Sequence, residues 1–143
     1  MSKPTAVGSL VVKPSILTEA KTLTSYDSGK TYFLNAVGGF TVTLPVPVAG
    51  SGFTFIVKTA PTTKYRIATK GATSVIRGQV YTTDINSATS PDKETSGVSY
   101  IDFVASTAVV GDSVELISDG TYWYVKGYCS VWNAIGLGPV PLP

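Results

Sequence analysis

Apolar and polar residues alternate along most of the chain in short runs rich in Val, Ile, Thr, Tyr and Phe. Gly or Pro interrupts these runs roughly every 8–12 residues, and helical periodicity is almost absent. Period-two runs closed by turn residues are the pattern of short strands that each bury one face. The pattern predicts strands at about 21–26, 31–36, 40–45, 53–59, 64–69, 73–77, 79–83, 98–104, 113–118 and 121–127. The fold class expected from this is all-β: a compact antiparallel β-sandwich or barrel, jelly-roll-like, of about 8–10 short strands. The domain is expected at 21–133, with an extended N-terminal arm at 1–20 and a Pro-rich apolar tail at 134–143.

The clearest element is a hairpin over Ser113–Val125, turned at Asp119-Gly120. Asp-Gly favours a two-residue turn in which both residues take positive φ. That turn pairs Ser118 with Thr121, Leu116 with Trp123 and Val114 with Val125, and places these residues on the core face. Glu115, Ile117, Tyr122 and Tyr124 then share the opposite face, which carries much apolar area for a solvent surface. A partner or a second layer of the same domain would account for it. A second hairpin is expected at Gly38-Gly39, with Phe33 facing Leu44. Phe53, Phe55 and Val57 are expected to point inward in the strand after Gly50-Ser51-Gly52.

Residues 84–97 are polar and strand-poor, which reads as a long loop, functional or without special role. Both ends read as arms. The first 20 residues carry the apolar patch Leu10-Val11-Val12, and the tail reads Ala-Ile-Gly-Leu-Gly-Pro-Val-Pro-Leu-Pro. Prolines favour extended backbone in such a tail. It is either a disordered terminus or a segment that docks on a neighbouring subunit. The candidate interface residues are therefore Leu10, Val11, Val12, Trp132, Ile135, Leu137, Val140 and Leu142.

Composition narrows the chemistry. The 143 residues include 15 Ser and 19 Thr, 14% are charged, and there is no His. Without His the commonest general base, the usual nucleophilic triads and most zinc sites are missing. One cysteine, Cys129, can form neither an intramolecular disulfide nor a thiolate cluster. A net charge of +2 from scattered cations does not point to nucleic acid. No apolar run is long enough to span a membrane, and Met1-Ser2-Lys3-Pro4 lacks a signal-peptide core, so a soluble, cytosolically made chain is expected.

Several motifs look chemical. Ser28-Gly29-Lys30-Thr31 resembles the end of a phosphate-binding loop, but Thr24 stands where its first glycine belongs and no helix follows. It reads as a tight turn. Gly111-Asp112-Ser113 has no histidine to activate the hydroxyl, and reads as the turn opening a strand. Gly136-Leu137-Gly138 lacks the context of a dinucleotide loop. A glycosidase needs only two carboxylates, but Glu115 and Asp119 on one hairpin and Asp84, Asp92 and Glu94 on one polar loop belong to nine acids spread evenly along the chain, which read as solubilising surface groups. Calcium at Asp92/Glu94 is unsupported by ligand spacing. Trp123, Trp132 and eight Tyr would also allow a sugar-stacking surface. The expectation is a non-enzyme with no catalytic residue, cofactor or metal.

The segments Leu23-Thr24, Asp27-Ser28-Gly29-Lys30-Thr31-Tyr32-Phe33-Leu34-Asn35, Phe40-Thr41-Val42-Thr43-Leu44-Pro45, Ala49–Val57 and Gly111–Val125 together resemble a β-domain of tailed-bacteriophage structural proteins. The resemblance spans about residues 21–126. It implies a virion protein, most like a small capsid decoration (cement) protein. Such a protein sits on the outer capsid surface as a homotrimer and braces the major capsid protein. The same domain type occurs in tail and fibre proteins, which leaves a receptor- or glycan-binding role as the alternative. On the decoration reading, the 1–20 arm grips the major capsid protein and the 134–143 tail crosses to a neighbouring protomer. No nucleic acid or membrane partner is expected.

Overall fold

The computed structural model describes residues 13–83 and 93–138. Twelve strands lie within them: β1 (Lys13–Leu17), β2 (Lys21–Thr22), β3 (Lys30–Leu34), β4 (Phe40–Thr43), β5 (Gly52–Val57), β6 (Tyr65–Ala68), β7 (Ile76–Thr82), β8 (Lys93–Val98), β9 (Tyr100–Phe103), β10 (Ser113–Ser118), β11 (Trp123–Cys129) and β12 (Ile135–Gly138). They form two sheets, one of order β1-β3-β5-β10-β11-β7-β8 and one of order β12-β9-β6-β4-β2. The all-β sandwich is thus the architecture of the chain.

Its sheets are mixed, which corrects the antiparallel, jelly-roll-like expectation. The first six strands alternate between the two sheets. β1, β3 and β5 therefore become parallel neighbours in one, and β2, β4 and β6 in the other. β7 also runs parallel to β11. Parallel neighbours need a crossover, and here the crossover is a strand of the opposite sheet. Gly38-Gly39 is accordingly a corner between sheets and not a hairpin. Gly39 has φ of +68°, and a Cβ there would run into the Lys64 carbonyl. The carbonyl of Val37 accepts from the Thr62 amide at 2.7 Å, tying the corner to the chain that leads into β6. Phe33 therefore does not face Leu44. It lies half-exposed on the outer side of β3 between Ile16 and Ile56.

The core lies between the sheets. Tyr32, Leu34, Phe53, Phe55, Val57, Val114, Leu116, Trp123 and Val125 meet Val42, Tyr65, Ile67, Ile101, Phe103 and Ile135, all buried. Phe53, Phe55 and Val57 point inward as expected. Along the inner face of the larger sheet the rings of Tyr32 and Phe55 stack at 5.6 Å, and those of Phe53 and Trp123 lie 5.6 Å apart. Aromatic pairs at such separations add to the stabilisation from burial.

Four boundaries differ from the pattern reading. Within the expected N-terminal arm, Lys13–Leu17 is a strand of the larger sheet, with Leu17 buried opposite Leu34. Pro14 disguises this strand, but an edge strand tolerates Pro because one side of its ladder is unpaired. The expected 84–97 loop contains β8, which pairs antiparallel with β7. The two strands predicted at 73–83 are one, bulged at Gly78.

The expected C-terminal tail starts with β12, paired to β9. Ile-Gly-Leu-Gly alternates apolar residues with glycine. Ile135 is fully buried, Leu137 packs partly buried on the core, and the Tyr100 ring lies against Gly138, where a Cβ would meet its hydroxyl at 2.7 Å. Ile135→Ala should therefore cost about 2–5 kcal/mol, as for other core truncations. Urea denaturation measures this, and an unchanged midpoint would return the segment to the status of a free arm.

Candidate functional site

The two outer faces differ in kind. On the smaller sheet, Arg66 forms a bidentate pair with Asp102 at 2.7 and 2.8 Å, and its guanidinium lies 3.6 Å from the Tyr100 ring centroid. The adjacent carboxylate holds the Arg66 pKa above its ordinary value. Thr41 and Thr43 lie beside this cluster, on β4. The cations and rings here are matched to one another.

The larger sheet presents apolar side chains outward. Pairing registers place Ile16, Phe33 and Ile56 in one row across β1, β3 and β5. Ile16 is 57% exposed and Val110, which lines the same shallow hollow, is 66% exposed. Past Ser113 the row continues to Tyr128 and Tyr81, whose rings stack at 5.7 Å. A parallel row holds Ile117, Tyr124 and Arg77, and between the two rows run Glu115, Lys126 and Gln79. Contiguous exposed apolar area of this sort marks binding surfaces in soluble domains.

The hairpin that carries part of this face is turned differently from expectation. Ser118 pairs with Trp123, Leu116 with Val125 and Val114 with Gly127. The Asp119 carboxylate draws the Thr121 and Tyr122 amides onto itself, each at 2.8 Å, and the Ser118 hydroxyl accepts from Gly120. Of the four loop residues only Gly120 has positive φ, so a two-residue turn with two positive angles does not form. The register slips by two, an even number, and every side chain keeps its face. Leu116 and Trp123 are buried as expected, while Glu115, Ile117 and Tyr124 are exposed and Tyr122 is half-buried. A second layer of the same domain does not cover that face. It is the outer one.

The other sequence candidates fall as follows. Trp132 is 40% exposed in the turn between β11 and β12. Ile135 and Leu137 are inward residues of β12, which removes them from an outward interface. Leu10, Val11, Val12, Val140 and Leu142 lie outside the described residues, as do Asp84 and Asp92. At Ser28-Gly29-Lys30 a shallow hollow exists, but its polar groups are engaged. The Gly29 amide donates to Gly52 at 2.8 Å, the Ser28 hydroxyl accepts from the Gly52 amide, and Lys30 pairs with Asp27 at 2.7 Å. That pairing holds the Asp27 carboxyl below its usual range. It is a turn, as read. Asp112 is buried, and its carboxylate accepts from the Val109 and Ser130 amides, so it braces the turn before β10. Among the described residues no three His, Cys, Asp or Glu cluster as a metal site would require.

Pattern reading missed Ile16, Val110, Phe33 and Ile56 as surface residues. Ile16 lies in the segment expected to be an arm, and the expected hairpin pairs Phe33 with Leu44 rather than with Ile16 and Ile56. The alternation Ser15-Ile16-Leu17 against Tyr32-Phe33-Leu34 is the signal that finds them.

Asp119 sets the turn beneath Tyr124. Amide bonds from Tyr122 and Thr121 hold its carboxyl below the ordinary value, and its bond to the Tyr124 hydroxyl raises that phenol in turn. A depressed folded-state pKa contributes stability that is fully present above the unfolded value, about 3.9, and is lost as pH falls through the folded value. The gap in urea midpoint between the wild type and Asp119→Ala should be constant at neutral pH and close in acid below about pH 4. A gap independent of pH would show that the carboxylate is not what orders the turn.

No protein-family model matches the chain, and no curated protein matches it in sequence.

Proposed function

We propose that this chain is a structural protein of a tailed-bacteriophage virion that decorates the outer capsid surface. On this reading it assembles as a homotrimer and stabilises contacts between major capsid proteins, without catalysis and without a cofactor. The observation that carries the proposal is the apolar strip Ile16–Phe33–Ile56 with Val110 on the outer face of the larger sheet. The opposite face is self-matched and polar, so the sandwich has one side suited to docking. Fully burying an exposed aliphatic side chain contributes about 1.5–3 kcal/mol, against a comparable or larger cost of association. A strip this size gives modest affinity per site, which suits a component repeated many times on a shell. On this reading Ile16, Phe33, Ile56 and Val110 form the described part of the interface, and Leu10, Val11, Val12, Val140 and Leu142 lie outside the described residues. A receptor- or glycan-binding role in a tail or fibre is the second reading, favoured by the exposed rings of Tyr81, Tyr124 and Tyr128.

Co-sedimentation with capsids of the parent phage that lack this protein tests the proposal. The wild type should bind saturably. Ile16→Asp combined with Val110→Asp should keep its unfolding midpoint, since both side chains face solvent, and lose binding by about tenfold or more. Binding to purified tails in place of capsids would overturn the capsid assignment.

A further inference from the structure

The other half of the same face carries a second feature. β7 bulges between Ile76 and Gly78, where Gly78 has φ of +128° and lies so close to Val125 that a Cβ would run into its backbone. A residue without a side chain therefore sits at the bottom of the outer surface. A cleft of about 420 Å³ opens over it, lined by Gly78, Gln79, Glu115, Ile117, Tyr124 and Lys126. Beyond β7 a smaller hollow shares Gly78 and Gln79 and adds Thr95 and Ser96. The volume lies in the range of small-ligand sites.

Its walls are held in place. The Tyr124 ring, 43% exposed, is anchored by its hydroxyl, which donates to Asp119 at 3.1 Å, and by an edge contact with Tyr122. Tyr122 is itself covered by the Arg77 guanidinium, 3.6 Å from the ring centroid. Gln79 is oriented by the Tyr81 hydroxyl, which donates to its Oε1 at 2.6 Å and leaves the amide NH₂ for another partner. An oriented wall binds with less loss of side-chain freedom than a mobile one.

The charges select a ligand class. Glu115 and Lys126 stand side by side across the β10–β11 ladder, so neither an anion nor a cation meets a field of one sign. An apolar ligand would leave the polar rim unpaired. The complementary ligand is neutral, with one apolar C–H face for the aromatic ring and a rim of hydroxyls for Gln79, Glu115 and Lys126. We infer that the cleft over Gly78 binds a neutral pyranose, with Tyr124 as the stacking platform and Gln79 and Glu115 as the hydroxyl-reading groups. This deepens the glycan-binding reading and does not depend on where on a virion the chain sits.

Titration of the ¹⁵N-labelled full chain with the methyl glycosides of glucose, galactose, mannose and N-acetylglucosamine, followed by amide shifts, tests the inference. At least one should shift Gly78, Gln79, Thr95 and Tyr124 together, with a dissociation constant on the order of 1 mM, typical of a single small contact set. Tyr124→Ala should weaken that binding by about tenfold or more, while Tyr124→Phe, which keeps the ring, should retain most of it. Tyr26→Ala, on an exposed turn outside the cleft, should bind as the wild type does and serves as the control for folding. Absence of shifts with all four sugars, shifts confined to other surfaces, or binding indifferent to Tyr124→Ala would each overturn the inference. Capsid co-sedimentation is unaffected by that outcome, so the two readings fail separately.

Discussion

The dehydrated layer between the two sheets is the constraint on which the rest of the structure depends. Strands such as β3, β5, β10 and β11 fill that layer with alternate residues, and period two then fixes every other residue outward. The rings of Tyr32, Phe55, Phe53 and Trp123 and the aliphatic residues opposite them leave no freedom for Ile16, Phe33, Ile56, Ile117 or Tyr124 to turn in. Their exposure follows from the burial of their neighbours. The same constraint explains why a two-residue slip in the β10–β11 register leaves the surface unchanged, whereas a slip of one residue would have inverted it.

Alternate winding between sheets adds a second consequence. Because β1, β3 and β5 reach one sheet from the other, their outer residues line up in register although the strands are far apart in sequence. A continuous apolar strip results from Ile16, Phe33 and Ile56, each unremarkable alone. On the other sheet the outward residues include Arg66, Asp102 and Tyr100, which satisfy one another through an ion pair and a cation–ring contact. The sandwich is therefore two-faced, and the proposed interface lies on the side left unmatched. The bulge at Gly78 divides that side further, into an aliphatic half beside β1 and an aromatic, hydroxyl-reading half around β7.

Much of this was legible in the chain. The positions of β3 to β6 and β9 to β11 follow from alternation, as do the inward residues of β5, β10 and β11. What pattern reading lost was connectivity. Gly38-Gly39 has the composition of a hairpin turn, and only the approach of Lys64 to Gly39 shows that the chain is crossing between sheets. Asp119-Gly120 has the composition of a two-residue turn, and a carboxylate that captures two amides converts it to a longer one. Pro14 and the glycines of Ile135-Gly136-Leu137-Gly138 disguise edge strands as arms, since edges tolerate residues that central strands reject. Of the candidate interface residues, Trp132 is surface and Ile135 and Leu137 are core. The exposed strip came into view only once the parallel pairing of β1 with β3 was known.

The proposed role places the interface on the outer face of the larger sheet. Hydroxyl-radical footprinting of the protein, free and mixed with phage capsids that lack it, reads that face directly. Labelling of Ile16, Phe33, Ile56 and Val110 is expected to fall on the capsid while Tyr100 and Arg66 on the opposite face are unchanged. Protection of Tyr100 and Arg66 with Ile16 and Val110 still fully labelled would contradict it.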